Sequence, residues 1–380
     1  MKFTAPAIIA LIVLLIAPLA SASTPVPKPP SIATDAHILM DASTGRILAE
    51  KDADERLGPA SLTKIMAAYV VYNALENGQI ELEDEVVVSE AAWRTGGSRM
   101  FIEVGSRVLV DQLLDGMVIQ SGNDASLALA EHVGGSQDAF VELMNTYAER
   151  LGMENSRFAN PHGLPHPDQY TSARDMARLA NALIEEFPQH YRRYSQREFS
   201  YNDITQYNRN QLLWSDDTVD GIKTGYTADT GYALVSSAER GDMRLISVVM
   251  GSPSVQRRTT DSRSMLNWGF RFFETHRLYT VGDAIQTARI WEGVTDTVEL
   301  GPEQDVIITL PRGEYDNLEA ELSFTDTVVA PVRAGDVLGE VVVSLNGETL
   351  ATTPVVALAD VEQAGFFSRM ADRVWQWFED

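Results

Sequence analysis

The strongest constraint on this fold is where strand-like runs sit relative to helical ones. Ala36–Asp41 and 46–51 are short strand-like runs joined by the turn Ser43-Thr44-Gly45, which reads as a hairpin. From about 59 to 190 the pattern is mostly helical, for example over 125–133 and 138–151. Strand character returns near 220. There 232–238 and 243–250 flank the turn Glu239-Arg240-Gly241-Asp242, and 263–274 reads as a closing helix. Strands on both sides of a helical block that meet in one sheet predict an α+β domain over 35–275. Past 276 the runs are short and rich in Val, Ile and Thr: 298–300, 305–310, 318–324, 338–345 and 349–357. With Pro311-Arg312-Gly313 and Asn346-Gly347 as turns, they predict a small all-β domain over 276–357.

Both ends carry membrane-related signals. Lys2, an apolar run from Ala7 to Leu19 and Ala20-Ser21-Ala22 form the pattern of a secretory signal over 1–22. About 13 apolar residues are too few to cross ~30 Å of hydrocarbon. A leader over 23–34, with Pro25, Pro27, Pro29 and Pro30, is expected to be extended rather than core. At the other end, 358–380 is expected to hold an amphipathic helix. Its Phe366, Phe367, Met370, Val374, Trp375 and Phe378 fall on one half of the wheel, as in a helix lying in a membrane interface. The expected location is the periplasm, attached peripherally to the outer face of the inner membrane by that helix.

Composition narrows the chemistry. A formal charge of −24 argues against nucleic acid as a partner. The absence of cysteine excludes disulfides, thiolate nucleophiles and Cys-ligated metals. Of the 30 basic residues only five are lysines: Lys2, Lys28, Lys51, Lys64 and Lys223. Lys64 closes Ser61-Leu62-Thr63-Lys64, and Lys223 opens Lys223-Thr224-Gly225, with Ser121-Gly122-Asn123 between them. From this chain's own residue usage, the three motifs together are expected by chance only ~5 × 10⁻⁴ times. A serine hydroxyl needs a neighbouring base, and a lysine three residues along a helix shares its face. Burial and a second cation such as Lys223 would lower the Lys64 pKa into the range of a base.

These motifs resemble those of the penicillin-binding and serine β-lactamase superfamily. Within it, the chain is similar to the low-molecular-mass D-alanyl-D-alanine carboxypeptidases of the penicillin-binding protein 5 type. Pro59-Ala60-Ser61, Gln120-Ser121-Gly122-Asn123-Asp124-Ala125, Thr171-Ser172-Ala173-Arg174-Asp175-Met176, Asp220-Gly221-Ile222-Lys223-Thr224-Gly225 and 268–274 carry the likeness, which spans nearly the whole chain. It implies a β-lactamase/transpeptidase-like domain, an antiparallel sheet flanked by helices, then a small all-β domain and a C-terminal amphipathic helix. It also implies that Ser61 is acylated by the D-Ala-D-Ala end of a peptidoglycan pentapeptide, or by β-lactams. Lys64 would be the base, Ser121 a proton relay and Asn123 a holder of substrate and Lys64. Lys223, Thr224, Gly225, Tyr226 and Arg258 would bind substrate. Arg258 would anchor the carboxylate, and the N–H groups of Ser61 and Tyr226 would form the oxyanion hole. No cofactor and no metal are implied. Tyr226 departs from the histidine frequent in relatives; His162 and Arg209 match family positions as site-shaping residues.

Other readings stay open on the residues alone. A class A β-lactamase would need an E-x-x-L-N loop, which is absent. A Ser-His-Asp hydrolase would want G-x-S-x-G, also absent. A zinc peptidase built on His162, His166 and Asp168 lacks H-E-x-x-H, and Gly163 and Pro165 interrupt any helical ligand pair. A D,D-endopeptidase on crosslinked muropeptides and a weakly active muropeptide-binding scaffold are the remaining alternatives.

Overall fold

The computed structural model describes residues 25–324, 327–370 and 372. The signal over 1–22 and most of the terminal amphipathic helix lie outside the described residues. The first hairpin is present as β1 (Ala36–Asp41) and β2 (Ile47–Lys51). A helical block follows, with α1 (Thr63–Glu76), α2 (Val110–Val118), α3 (Asn123–Gly134), α4 (Gln137–Arg150) and α5 (Ala173–Glu186). Then come β3 (Val219–Thr227), β4 (Gly231–Arg240), β5 (Met243–Ser252) and α6 (Val255–Phe272). The five strands form one antiparallel sheet in the order β2-β1-β5-β4-β3. The hairpin and the late strands therefore meet, and β3 is left at an edge facing the helical block.

Helix α1 explains how the two layers join. Eleven of its residues are buried, from Thr63 to Ala74, so it is apolar all round and runs through the core. Its one lysine, Lys64, is carried into that core.

The second domain begins without a linker. Helix α6 ends at Phe272 and the chain continues directly into β6 (Phe273–Tyr279). The sequence had suggested a helix through 274. Phe273 and Thr275 instead alternate inward on a strand that pairs with β9 (Val306–Pro311), which overrides the helical pattern. Helix α6 also starts earlier than its apolar pattern, because the Ser254 side chain caps it by accepting from the Arg257 N–H at 3.1 Å. The remaining strands are β7 (Gln286–Trp291), β8 (Thr297–Pro302), β10 (Leu318–Phe324), β11 (Val328–Val329), β12 (Val337–Leu345) and β13 (Glu348–Ala357). They form a sheet in the order β10-β12-β13-β8-β7-β11.

The joint between domains is hydrogen-bonded on both sides. Thr275 Oγ1 donates to the fully buried Asp41 carboxylate at 2.7 Å, and Thr44 Oγ1 lies 2.8 Å from Thr309 Oγ1. The Arg46 guanidinium donates to the Thr309 carbonyl. Arg312 Nη2 donates to the Phe270 and Phe273 carbonyls, each at 3.1 Å. The described part of the leader is packed rather than free: Val26 and Ile32 sit against the core beside α6, and Trp268 Nε1 donates to the Pro27 carbonyl at 3.1 Å.

Candidate active site

Ser61 lies in a 3₁₀ turn, Ala60–Leu62, that leads into α1. Ala60 has φ +49°, a left-handed conformation that a non-glycine residue holds only when its surroundings enforce it. Two glycines supply those surroundings. A Cβ on Gly163 would lie 1.8 Å from the Ala60 carbonyl oxygen, so only glycine lets the loop over 160–164 press against this turn. Gly225 of β3 approaches from the other side, where a Cβ would meet the Pro59 oxygen and the Ala60 Cβ at 3.2 Å.

The turn presents Ser61 to Lys64. Lys64 Nζ is 3.3 Å from Ser61 Oγ and donates to Asn123 Oδ1 at 2.6 Å and to the His162 carbonyl. A neutral amine has two hydrogens and one lone pair. With Asn123 and His162 taking the hydrogens, the lone pair is left for the Ser61 hydroxyl. The protonation state suits that geometry. Burial pushes the Lys64 pKa down to about 7, helped by the Arg209 charge and opposed by Asp124.

Asn123 opens α3, with its Nδ2 held by the Gly96 carbonyl at 2.6 Å. Ser121, just before it, has φ +68°, is 2% exposed and has an Oγ without a hydrogen-bond partner among the described residues. Buried, strained and unpaired, this hydroxyl is free to meet a group entering the cleft. Lys223, Thr224 and Gly225 sit on β3. Lys223 is buried, and its Nζ donates to the Thr224 carbonyl at 3.2 Å. Desolvation, then the charges of Lys64, Arg209 and Arg258, hold its pKa well below the usual lysine range. Arg258 reaches the same region from the first turn of α6, where its guanidinium donates to the Gly225 and Arg209 carbonyls at 3.4 and 3.5 Å.

The nine residues to which the resemblance assigns catalytic or substrate-binding roles therefore converge. Ser61, Ser121, Thr224, Gly225, Tyr226 and Arg258 line a cleft of about 720 Å³. Lys64 and Asn123 lie behind Ser61, and Lys223 lies on the strand at its edge. The protein carries −24 overall, yet the Arg209 and Arg258 guanidiniums line this cleft, an arrangement that favours an anionic ligand.

Residues 23–254 match the D-alanyl-D-alanine carboxypeptidase family. The chain belongs to that family. Residues 273–363 of this carboxypeptidase match a second family, the penicillin-binding protein 5 C-terminal domain. It is 46% identical to the D-alanyl-D-alanine carboxypeptidase DacC of Escherichia coli over 96% of this chain and 94% of that one. With DacA of the same organism the identity is 43%, over 92% and 89%. Among solved structures, penicillin-binding protein 5 of Haemophilus influenzae superposes with a TM-score of 0.84 at 41% identity, covering 89% of this chain and all of that one. The ampicillin-bound form of penicillin-binding protein D2 from Listeria monocytogenes matches 64% of this chain and all of its own, with a TM-score of 0.59 at 26% identity. The fold of the carboxypeptidase, an α+β transpeptidase-like domain followed by a β-domain, is the one the resemblance implied.

Two contributors were not visible from residue types. The His162 carbonyl, a main-chain group, holds Lys64 Nζ; the sequence marks His162 as site-shaping but not through its carbonyl. The imidazole is not the working part: burial and the nearby Lys64 charge push its pKa down to about 4, and Nδ1 accepts from the Leu164 N–H at 3.2 Å. The other is Asp124, fully buried, which accepts from the N–H groups of Met100 at 3.0 Å and Phe101 at 2.9 Å. It thereby fixes the loop that carries Ser98 into the cleft wall.

Proposed function

We propose that the enzyme is a serine-type D-Ala-D-Ala carboxypeptidase acting through an acyl-enzyme on Ser61. Lys64 Nζ is the observation that carries this reading, since its two other contacts leave the lone pair for the Ser61 hydroxyl. Ser61 Oγ attacks the carbonyl of the penultimate D-alanine of a peptidoglycan pentapeptide as Lys64 takes its proton. The oxyanion is held by the N–H groups of Ser61 and Tyr226. Ser121 passes a proton to the departing amine, and the D-alanine leaves with its carboxylate against Thr224, Lys223 and Arg258. Water then releases the tetrapeptide by the reverse proton path. A β-lactam carries both a strained carbonyl and a carboxylate, so it enters the same site and leaves a long-lived adduct.

Mass spectrometry of the mature protein after penicillin treatment, paired with a D-alanine release assay on pentapeptide, tests the reading. One adduct on Ser61, none in Ser61→Ala, and release of one D-alanine per pentapeptide are expected. An adduct elsewhere, or no release, would overturn it.

Attachment to the outer face of the inner membrane through the C-terminal helix belongs to the same reading. Among the described residues no helix is long and apolar enough to cross a membrane. Phe366, Phe367 and Met370 are 63%, 87% and 53% exposed at the start of the last helix, apolar surface that an interfacial helix would bury. Deleting 365–380 should move the protein from the membrane fraction to the soluble periplasmic fraction with D-alanine release unchanged. Retention in the membrane fraction would refute the anchor.

A further inference from the structure

Arg258 is weakly held for a residue with an anchoring task. Its three hydrogen bonds, to the carbonyls of Gly225, Ala233 and Arg209, are long at 3.4, 3.5 and 3.5 Å. Its Nε is buried without a partner, and no carboxylate pairs with it among the described residues. Burial brings its pKa down to about 10, with Arg209 adding to the fall. The face of Tyr232 lies beside the guanidinium, with Arg258 Cζ 5.8 Å from the ring centroid. Tyr232 is in turn covered by Tyr226. The two residues are direct partners across β3 and β4, so their side chains project on one face of the sheet. Their ring centroids are 4.3 Å apart at 31°. Tyr226 itself is 55% exposed at the cleft wall. An exposed aromatic ring in this place has no packing role in the core.

We propose that Tyr226 is a positioning residue: it clamps Tyr232 against the Arg258 guanidinium and so sets how tightly the cleft holds the free terminal carboxylate of its substrate. This rests on the proposed reading of Arg258 as the carboxylate anchor. A cation over an aromatic face is favoured most when water is kept off the pair, and Tyr226 packs against the Tyr232 ring at 4.3 Å between centroids. The stack also restricts the rotamers of Tyr232, so the guanidinium meets the carboxylate already oriented. The hydroxyl of Tyr226 plays no part in this arrangement, and a phenylalanine serves equally.

The test compares the mature wild-type enzyme with Tyr226→Phe, Tyr226→Leu and Tyr232→Leu. Two stem-peptide analogues are used, one ending in D-Ala-D-Ala with a free carboxylate and one with that carboxylate amidated. Tyr226→Phe, which keeps the ring pair, should show a KM for the carboxylate peptide about fivefold or more below that of Tyr226→Leu. Tyr226→Leu and Tyr232→Leu should each raise KM for the carboxylate peptide about tenfold, with kcat within about threefold and KM for the amidated peptide unchanged. An unchanged KM in Tyr226→Leu would overturn the proposal. So would an equal change for both peptides, which would mean that the ring touches the body of the substrate, or a phenylalanine variant as impaired as the leucine one. A wild-type enzyme that releases D-alanine but shows no preference for the carboxylate would also overturn it, while leaving the acyl-enzyme reading intact. A wild-type enzyme that releases no D-alanine overturns both.

Discussion

Lys64→Met should lower the rate of Ser61 acylation, by pentapeptide and by penicillin alike, about 10⁴-fold, the upper end of what a positioned general base contributes. Methionine fills a similar volume without a lone pair that can take a proton. The exchange leaves Asn123 Oδ1 and the His162 carbonyl without their donor, a cost of about 1–3 kcal/mol for each. Removing a fully buried amine relieves desolvation in return, so a folded and testable protein is expected. The pH profile of the unaltered enzyme supplies an independent check. The folded-state pKa of Lys64 lies at about 7, below that of a free lysine, so the neutral base predominates above this value and the ammonium form below it. Acylation should therefore climb about tenfold per pH unit up to about pH 7 and level off beyond. Stopped-flow acylation between about pH 5 and 9 reads this limb directly. A flat profile across that range, or a methionine variant within tenfold of wild type, would remove Lys64 from the role of base.

The second large effect is expected at a residue with no side chain. Gly163→Ala places a methyl group 1.8 Å from the Ala60 carbonyl oxygen, at a residue whose φ of +88° already disfavours any Cβ. Neither partner can rotate away, because both are backbone. The loop over 160–164 is itself pinned: the Gly163 N–H donates to Asn160 Oδ1 at 2.7 Å, and Ser126 Oγ donates to the Pro161 carbonyl at 2.7 Å. Either the loop or the serine turn must then move. Movement of the loop draws the His162 carbonyl off Lys64 Nζ, and movement of the turn draws Ser61 off it. An acylation rate lowered about 10²–10³-fold, with about 1–3 kcal/mol lost from stability, is the expected outcome. Gly135→Ala makes a fair control, since its φ is +72° but nothing lies within 4 Å of the added Cβ. That variant should lose some stability and keep its acylation rate. Equal acylation rates in the two variants would show that the close approach at Gly163 is not what holds the catalytic pair.

These two positions differ in how far the sequence reveals them. Ser61 and Lys64 are legible because a spacing of three on a helix brings two side chains together, and the scarcity of lysine makes the pairing stand out. Ser121, Asn123 and the Lys223-Thr224-Gly225 stretch follow from motif order, and the antiparallel sheet that unites them follows from strands at both ends of the helical block. The His162 carbonyl is not legible, since every residue has a carbonyl and only the chain path decides which one meets Lys64. Asp124 is hidden for a related reason: a carboxylate that accepts backbone N–H groups from a distant loop looks in sequence like any other helix-opening acid. The switch from α6 to β6 at Phe273 escapes local pattern because its cause is the partner strand β9, more than 30 residues later. Strand β7 is missed because Gln286–Trp291 shows only a short alternation beside polar residues.

The joint at Asp41, Thr275 and Thr309 bears on where in the cell wall the enzyme can work. Helix α6 runs directly into β6 and the joint is hydrogen-bonded on both sides, which restrains how far the cleft can swing on the β-domain. If the terminal helix is held in a membrane, Ser61 stays at one stand-off height and one tilt above the lipid surface. Stem peptides at that altitude would be trimmed whatever their abundance elsewhere, and those nearer to or farther from the bilayer would be spared. Selection among chemically identical substrates would then come from elevation rather than recognition, with the length of the β-domain as the setting.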